Sequence, residues 1–482
     1  MPHIIQGVTT STAAFIGQTE RGPAFPHLVT SWAEYISWYG DYLDRTPGCT
    51  AFRYLPYAVR GFFENGGQRL FIARAAPPGS TPAHASPGHG AMLLEAISPG
   101  AWGSNIRFSL RATAESFDLT LNYFRAGNLN PELTERYNNL PANPADPNFA
   151  PTIVNSSSRL INLTLTGTLA AIDLPNGVLD QGGDPGSPEP AADQFRSAPI
   201  QLAAQPDISL IPIPDDVLLP ALRADLLLHC QTLGNRFAIL SCTEQEQSAS
   251  PAQLQPPADS SWGAYYLPWL VVAAPHPPSG QLSVPPSGHV AGIYARVDAQ
   301  YGVQKAPANE LVNGIQGLSH PVSQAQQDLL NPKGINLIRD FRPQGRGILA
   351  WGARTMSSDS AWRYINIRRL SIYLEQSLNR SLRWVESEPN SEQTWATVRL
   401  SASAFLQTAW RNGALAGSKQ GDAFFVKCDR TTMTQDDLDN GRLICLKGIA
   451  PVKPAEVVIF RIGQTTSEGT RPGHPDPWPH LP

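Results

Sequence analysis

Trp351-Gly352-Ala353-Arg354-Thr355 and, eight residues on, Arg363-Tyr364-Ile365-Asn366-Ile367-Arg368-Arg369 form the stretch on which the reading of this chain turns. It lies within Gly334 to Ile462, where a buried strand, two long amphipathic helices and a closing set of short strands follow one another without a catalytic constellation. From a helix start near Asp359 or Ser360, Ile367, Leu370, Leu374, Leu378 and Leu382 recur every three or four residues and make one buried stripe. At about 100° per residue, Arg369, Arg380 and Arg383 fall on the opposite face. Between Arg339 and Arg383 stand nine arginines against three acids, which reads either as a solvated face or as a surface for an acidic protein partner. The second helix is signalled by Asn390 and Gln393 as a capping-box variant and by Trp395, Val398, Ala402, Phe405 and Ala409, and it ends at Gly413 or Gly417. Both helices are predicted to pack on a sheet holding Ile348 to Trp351 and Phe424 to Lys427.

Working outward, the chain closes with short strands at Ile444 to Leu446 and Val457 to Ile462, and opens with the apolar run His3 to Val8. A terminal strand presents unpaired N–H and C=O groups unless it finds a neighbour. These two ends can pair with another copy by strand addition or within the same chain, and the sequence is compatible with both.

Composition narrows the functions available. The chain has 482 residues, room for about two to four domains, with 16% charged residues and 45 prolines, a globular profile with stiff loops. Lys plus Arg number 36 against 40 Asp plus Glu, so the net charge of -4 gives no overall attraction to nucleic acid or an anionic membrane. Five cysteines, Cys49, Cys230, Cys242, Cys428 and Cys445, are widely spaced with no C-x-x-C, so neither a disulfide framework nor a zinc site is indicated and a reducing compartment fits. The first residues lack the basic and apolar regions of a secretory signal, and no run reaches the ~18 to 20 apolar residues of a transmembrane helix.

In the first third, Ala13 to Gly17 reads as a strand, and Ser31-Trp32-Ala33-Glu34 as a capping box opening a helix that Gly40 ends. A helix over Phe52 to Glu64 is broken by Asn65-Gly66-Gly67, and Leu70 to Ala73 is a buried strand. After the Pro/Gly/Ser/His-rich segment Ala76 to Gly90 the texture turns β-rich, with strands at Ile106 to Leu110, Phe117 to Tyr123 and Leu160 to Leu165, ending in the linker Gln181 to Pro190. The α/β texture then resumes with a strand at Ile208 to Ile213, a helix at Val217 to Leu233, and strands at Phe237 to Cys242 and Tyr265 to Ala273. The expected fold class is α/β (mixed α+β): a discontinuous α/β core interrupted by a β-rich inserted domain, with strand-forming terminal arms.

Candidate chemistry is sparse. Asp215 and Asp216 follow a strand and open a helix, a place where open α/β sheets put ligand groups and where helices are also simply capped. The nearest approach to a nucleophile motif, Pro286-Ser287-Gly288-His289, sets Ser and His on one turn, where they do not meet as a triad requires. Neither glycine-rich phosphate loop is present, and His474 and His480 match no metal-ligand spacing. No cofactor or metal is therefore expected.

The wording of the chain resembles the contractile tail sheath proteins. The resemblance rests on Ser11 to Gly17 with Glu20-Arg21-Gly22-Pro23, on Phe62-Phe63-Glu64-Asn65-Gly66-Gly67, and on Pro285 to Gly292 with Lys305-Ala306-Pro307-Ala308-Asn309. It continues through Asn331 to Asn336, the opening stretch, Cys428-Asp429 and Asn440-Gly441-Arg442-Leu443, whereas Gly90 to Pro199 and the tail after Gly463 have no counterpart. The resemblance implies a subunit of a phage-tail-like contractile injection system, assembled in the bacterial cytoplasm as stacked rings, of hexameric order, around an inner tube, between a baseplate and a terminal cap. On that basis the chain divides into an N-terminal arm and first strand (1–20), a first core segment (21–90), an inserted β-rich outer domain (91–199), a second core segment (200–330), a C-terminal inner domain (331–455), and a C-terminal arm and tail (456–482).

The family's strand-adding arms map onto His3, Ile4, Ile5 and Val8 at one end and Val457, Val458, Ile459, Phe460 and Ile462 at the other. Arg369, Arg380 and Arg383 become candidates for the tube-facing surface, with Thr434 to Arg442 as the competing location. Nucleic acid binding and membrane insertion are not implied. The alternatives from other classes are a hydrolase using Asp215, Asp216 or His289, and a static phage shell protein.

Overall fold

Strands from the first 74 residues and from residues 210–350 meet in one sheet. The computed structural model describes residues 3–43, 54–76, 79–88, 90–125, 128–183, 192–274 and 280–454. Its nine-stranded sheet runs, edge to edge, Glu310–Leu311, Ile348–Ala350, Ile335–Asp340, Gly263–Leu267, Phe237–Ser241, Leu210–Ile211, Ala13–Gly17, Leu70–Arg74 and His27–Val29. The strands from Ile335–Asp340 to Leu70–Arg74 pair in parallel, and the outer ones are antiparallel. Parallel strands covered on both faces need unbroken apolar runs, and Ala13-Ala14-Phe15-Ile16 and Phe237-Ala238-Ile239-Leu240 are buried throughout. The expected single strand Tyr265 to Ala273 is two. Pro268, lacking an N–H, interrupts the ladder, and Leu270–Ala273 joins a separate sheet with Gln281–Val284 and Gly317–Leu318.

Helices cover the sheet where the sequence patterns place them. Ser31 caps the Trp32–Tyr39 helix by accepting the Glu34 N–H at 3.1 Å, while the Glu34 carboxylate turns to the Thr30 N–H instead of closing a reciprocal box. The Leu55–Glu64 and Ser287–Tyr301 helices pack so closely that a Cβ on Gly288 or Gly292 would overlap the backbone of Ala58 or Phe62. That requirement explains the Gly-x-x-x-Gly spacing.

Between Leu70–Arg74 and Leu210–Ile211 the chain leaves the sheet to build a second core. A four-stranded antiparallel sheet (Ile172–Val178, Ile106–Ala112, Ser116–Tyr123, Leu133–Pro141) lies with a three-stranded one (His84–Ala85, Met92–Ala96, Ile161–Leu165). Ile106, Phe108, Leu110 and Ala112 alternate inward, as a half-buried strand must. The excursion is shorter than the expected 91–199 at its far end: the Ala192–Ala203 helix packs Phe195, Ala198 and Leu202 into the main core, because these apolar residues share one helical face.

The expected boundary at 331 also differs from the observed packing. Ile335–Asp340 and Ile348–Ala350 lie in the nine-stranded sheet, and a separate C-terminal module begins beyond them. Its helices are Ile365–Ser381 and Glu392–Arg411, and Phe424–Lys427 pairs antiparallel with Leu446–Ile449 in a two-stranded sheet of its own, not in the sheet of Ile348. Two small apolar clusters hold it, one around Leu370, Leu374, Leu406 and Phe424 and one around Trp395, Val398, Cys428 and Met433.

Candidate assembly surface of the C-terminal module

The first helix of this module starts at Ile365, later than Asp359, because Asp359 and Thr355 engage the preceding turn: Thr355 Oγ1 donates to the Trp362 carbonyl and Asp359 Oδ1 accepts the Ala361 N–H. Asn366, Arg368, Arg369, Ser371 and Ser377 are buried as well as the apolar stripe, so this helix is enclosed nearly all round. For the second helix the cap sits one residue past the expected Asn390. Ser391 accepts the Thr394 N–H, and Asn390 Oδ1 instead accepts from the Trp395 indole at 2.6 Å.

Enclosure decides the fate of the candidate arginines. Arg369 is 4% exposed and pairs with Asp298 of the main core, so it is an internal residue and not a surface group of this chain. The sequence reading failed here because a polar face on a helix can meet a second polar partner as well as solvent. Arg380 pairs with Asp207 at 2.7 Å and donates to the Pro206 carbonyl, which ties the helix to the loop before Leu210. Arg383 is exposed, at the rim of a surface pocket of about 590 Å³ that Glu386, Glu388, Leu443 and Lys447 also line. The Thr434–Arg442 segment borders the same pocket through Gly441. Its Gln435–Asp439 helix is fixed by a capping box between Thr434 and Asp437, and Arg442 ion-pairs with Asp436 and Asp437.

His3 to Val8 makes no strand ladder with the described residues of the chain. It runs over the module's two helices: the N–H groups of His3, Gln6 and Val8 donate to the hydroxyls of Ser401, Ser381 and Ser377 at 2.9, 3.1 and 3.1 Å. The His3 ring stacks on Trp384 at 4.1 Å, Ile5 and Val8 are half-buried, and Ile4 is 88% exposed. Gly7 is needed where the chain passes Tyr373, since any Cβ would run into the phenol. Ser377 and Ser381 lie one turn apart on one helical edge, a spacing that marks this seat in the sequence but was not used in reading it. The other arm, Val457, Val458, Ile459, Phe460 and Ile462, lies outside the described residues. The chain approaches it beside the main core, where Asn366 Nδ2 donates to the Val452 carbonyl at 3.1 Å.

The two-stranded sheet is the module's open element. Among the described residues its strands pair only with each other, so each keeps an edge without a ladder partner. Phe425 and Leu446, on opposite strands, are 56% and 50% exposed. Unpaired edges beside exposed apolar side chains favour the addition of a further extended segment.

The enzymatic candidates are interior. Asp215 and Asp216 sit at the carboxyl end of Leu210–Ile211, where the strand order reverses next to Ala13–Gly17, the place a ligand takes in open α/β sheets. Here the chain fills it: Asp215 Oδ1 accepts the Tyr54 N–H at 2.7 Å, and Asp216, fully buried, faces Arg223 at 3.5 Å. Burial pushes the Asp216 carboxyl up to about 8, with Arg223 acting against it. His289 lies in the first turn of its helix against Gly61. Burial, with Arg60 adding to it, takes the ring down to about 4, so it is a neutral core histidine. Among the described residues no group of three His, Cys, Asp or Glu is arranged to hold a metal, and no helix is long and apolar enough to cross a membrane.

These features define a multi-module chain: a discontinuous α/β core, a β insertion, and a helical module with an open two-stranded sheet. Comparison with known proteins supplies the family. Residues 256–356 match the phage tail sheath protein central domain, and residues 357–465 match the phage tail sheath C-terminal domain. The two models are contiguous, so residues 256–465 of this chain are similar to the phage tail sheath proteins. Its relatives include a prophage major tail sheath protein of Pseudomonas aeruginosa (strain UCBPP-PA14), 29% identical over 188 residues, which are 38% of this chain and 46% of that one. The tail sheath protein of Enterobacteria phage T4 is 28% identical over 189 residues, 38% of this chain and 27% of the relative. The matches therefore span less than half the length of these two relatives. The whole fold is shared with solved sheath structures. The contracted helical sheath of the anti-feeding prophage covers 96% of both chains at a TM-score of 0.60 and 24% identity. The contracted sheath complex of the extracellular contractile injection system PVC covers 96% of this chain and 94% of that one at 0.58 and 21%.

Proposed function

We propose that this protein is the sheath subunit of a phage-tail-like contractile injection system, polymerising as stacked rings around an inner tube and shortening to drive the tube into a target. The observation that carries the reading is the pair of open sheet edges in the module that matches the sheath C-terminal domain. An arm contributed by a neighbouring copy, from His3 to Val8 or from Val457 to Ile462, would extend Phe424–Lys427 or Leu446–Ile449 and keep the lattice linked while the rigid modules reorient. In this reading the seat of His3 to Val8 on its own helices is the resting position of an arm held by only a few hydrogen bonds, each worth about 0.5–1.5 kcal/mol. The inner tube, baseplate and terminal cap are its proposed partners. Arg383 and the Thr434–Arg442 segment, which share one pocket rim, are the proposed tube contact. The interior placement of Asp215, Asp216 and His289 gives the hydrolase alternative no support.

Electron microscopy of the purified protein, alone and co-expressed with its tube protein, tests the proposal. Striated hollow cylinders whose diameter and pitch change when the tube is absent are expected. One invariant lattice under both conditions would favour a static shell, and discrete monomers or dimers under both would overturn assembly altogether.

A further inference from the structure

The two-stranded sheet ends on a pair of cysteines. Its ladder matches Phe424 with Ile449 and ends on Lys427 with Leu446; Cys428 and Cys445 are the residues just beyond that last pair, and continuing the register sets them opposite each other. Directly opposed residues of an antiparallel pair stand about 4.5–5.5 Å apart at Cα, inside the range a disulfide spans. The two side chains interact with each other in one apolar cluster with Trp395, Val398 and Met433. Both are free thiols, and they differ in access: Cys428 is fully buried, while Cys445 is half-buried and lines the open pocket bordered by Arg383 and Lys447. The surroundings of Cys445 favour its thiolate. Cys428 is the largest influence, and Lys447 and Arg399 join it against burial to bring the thiol down to about 7. By contrast Cys230 and Cys242 are buried in the main core, where burial pushes both thiols up.

We propose that Cys428 and Cys445 are a redox-responsive pair that closes into an intrachain disulfide on meeting a low-molecular-weight disulfide, locking the end of the sheet. The Cys445 thiolate attacks one sulfur of the small disulfide RSSR, forming the mixed disulfide Cys445–S–S–R and releasing RS⁻. The Cys428 thiol then passes its proton to the RS⁻ released beside it and attacks the Cys445 sulfur, forming the protein disulfide and expelling the second RS⁻. The two cysteines are oxidised by two electrons, and one RSSR is reduced to one RSH and one RS⁻. The bond closes the loop from Asp429 to Ile444, which carries the Gln435–Asp439 helix, and pins the sheet on which it is anchored. The assignment stands on this chain alone and is independent of what the open edges bind.

The test is to incubate the reduced full chain with oxidised glutathione, block the remaining thiols by alkylation, and map tryptic peptides without reduction. The expected product joins Cys428-Asp429-Arg430 to the fragment Leu443 to Lys447, with loss of both thiols to alkylation. The Cys428→Ser variant is expected to stop at glutathione on Cys445, and Cys445→Ser to leave Cys428 unmodified. Oxidised wild-type protein should unfold at a higher temperature than the reduced form, a shift absent from both variants. A glutathione adduct that persists on Cys445 of the wild type overturns the proposal. So does a wild-type pair that stays fully alkylatable, or a map in which Cys445 is joined to Cys49 in place of Cys428.

Discussion

Arg369 grips Asp298 with both ends of its guanidinium: Nη1 and Nη2 donate to the two carboxylate oxygens at 2.9 and 2.5 Å, with both side chains buried. Nη2 also donates to the Thr10 carbonyl at 2.9 Å, so one side chain joins the C-terminal module, the Ser287–Tyr301 helix and the start of the chain. Burial raises the Asp298 carboxyl above its usual range and the guanidinium opposes that rise. Removing one partner strands the other without compensation. Arg369→Ala is therefore expected to destabilise the fold by about 3–5 kcal/mol in chemical denaturation, and Arg369→Met with Asp298→Leu to recover much of the loss. A single-variant loss under about 1 kcal/mol would mean that water replaces the pair.

The seat of the N-terminal arm makes a separate forecast. Ser377→Ala with Ser401→Ala removes two of the hydroxyls that accept its N–H groups. Limited proteolysis before Thr10 should accelerate several-fold while the unfolding midpoint of the main core stays in place. Equal protease resistance in variant and wild type would show that stacking of His3 on Trp384 holds the arm by itself.

The acid side of the stability profile should carry the signature of His289. Its folded pKa of about 4 lies below the ordinary 6.5, so the unfolded chain binds the proton more readily. The contribution is fully present above pH 6.5 and is lost as pH falls through 4, a change of about 3 kcal/mol. Unfolding free energy measured at intervals from pH 7 to pH 4 should fall more steeply in the wild type than in His289→Gln. Parallel curves would remove His289 as the source.

Assembly should depend on the exposed apolar side chains of the open sheet. Phe425→Lys together with Leu446→Lys puts charge beside both edges without entering the core. Burying an apolar side chain of this size contributes about 1.5–3 kcal/mol, so the double variant should raise the concentration needed for polymerisation by tenfold or more, read by sedimentation. A folded double variant that polymerises as the wild type does would place the inter-subunit contact elsewhere.

Reading the sequence succeeded where one local rule was enough and failed where two elements shared a surface. Ser31 and Gly40 bound their helix as expected, because caps are satisfied within a turn. Arg369, read from periodicity as exposed, met Asp298 from a segment seventy-one residues away, which no local pattern encodes. The same holds for Phe424–Lys427, assigned to the sheet of Ile348 but paired with Leu446–Ile449 instead. Strand partners are chosen among all strands with free edges, and spacing along the chain does not rank them. His3, Ile4, Ile5 and Val8 read as an apolar run able to pair by strand addition; their contacts with Ser377, Ser381 and Ser401 of the same chain were not legible, because those serines lie 369 to 398 residues away.

By itself the sequence determined the alternation of α/β and β-rich texture, the caps and breakers, and the resemblance that names the family, since these follow from residue order and short-range sterics. Only the tertiary structure decided which arginine is buried, where the insertion returns to the core at the Ala192–Ala203 helix, and that Cys428 stands opposite Cys445. Each of these depends on packing between distant segments, where burial turns a polar side chain into an internal tie and register turns two separated thiols into neighbours.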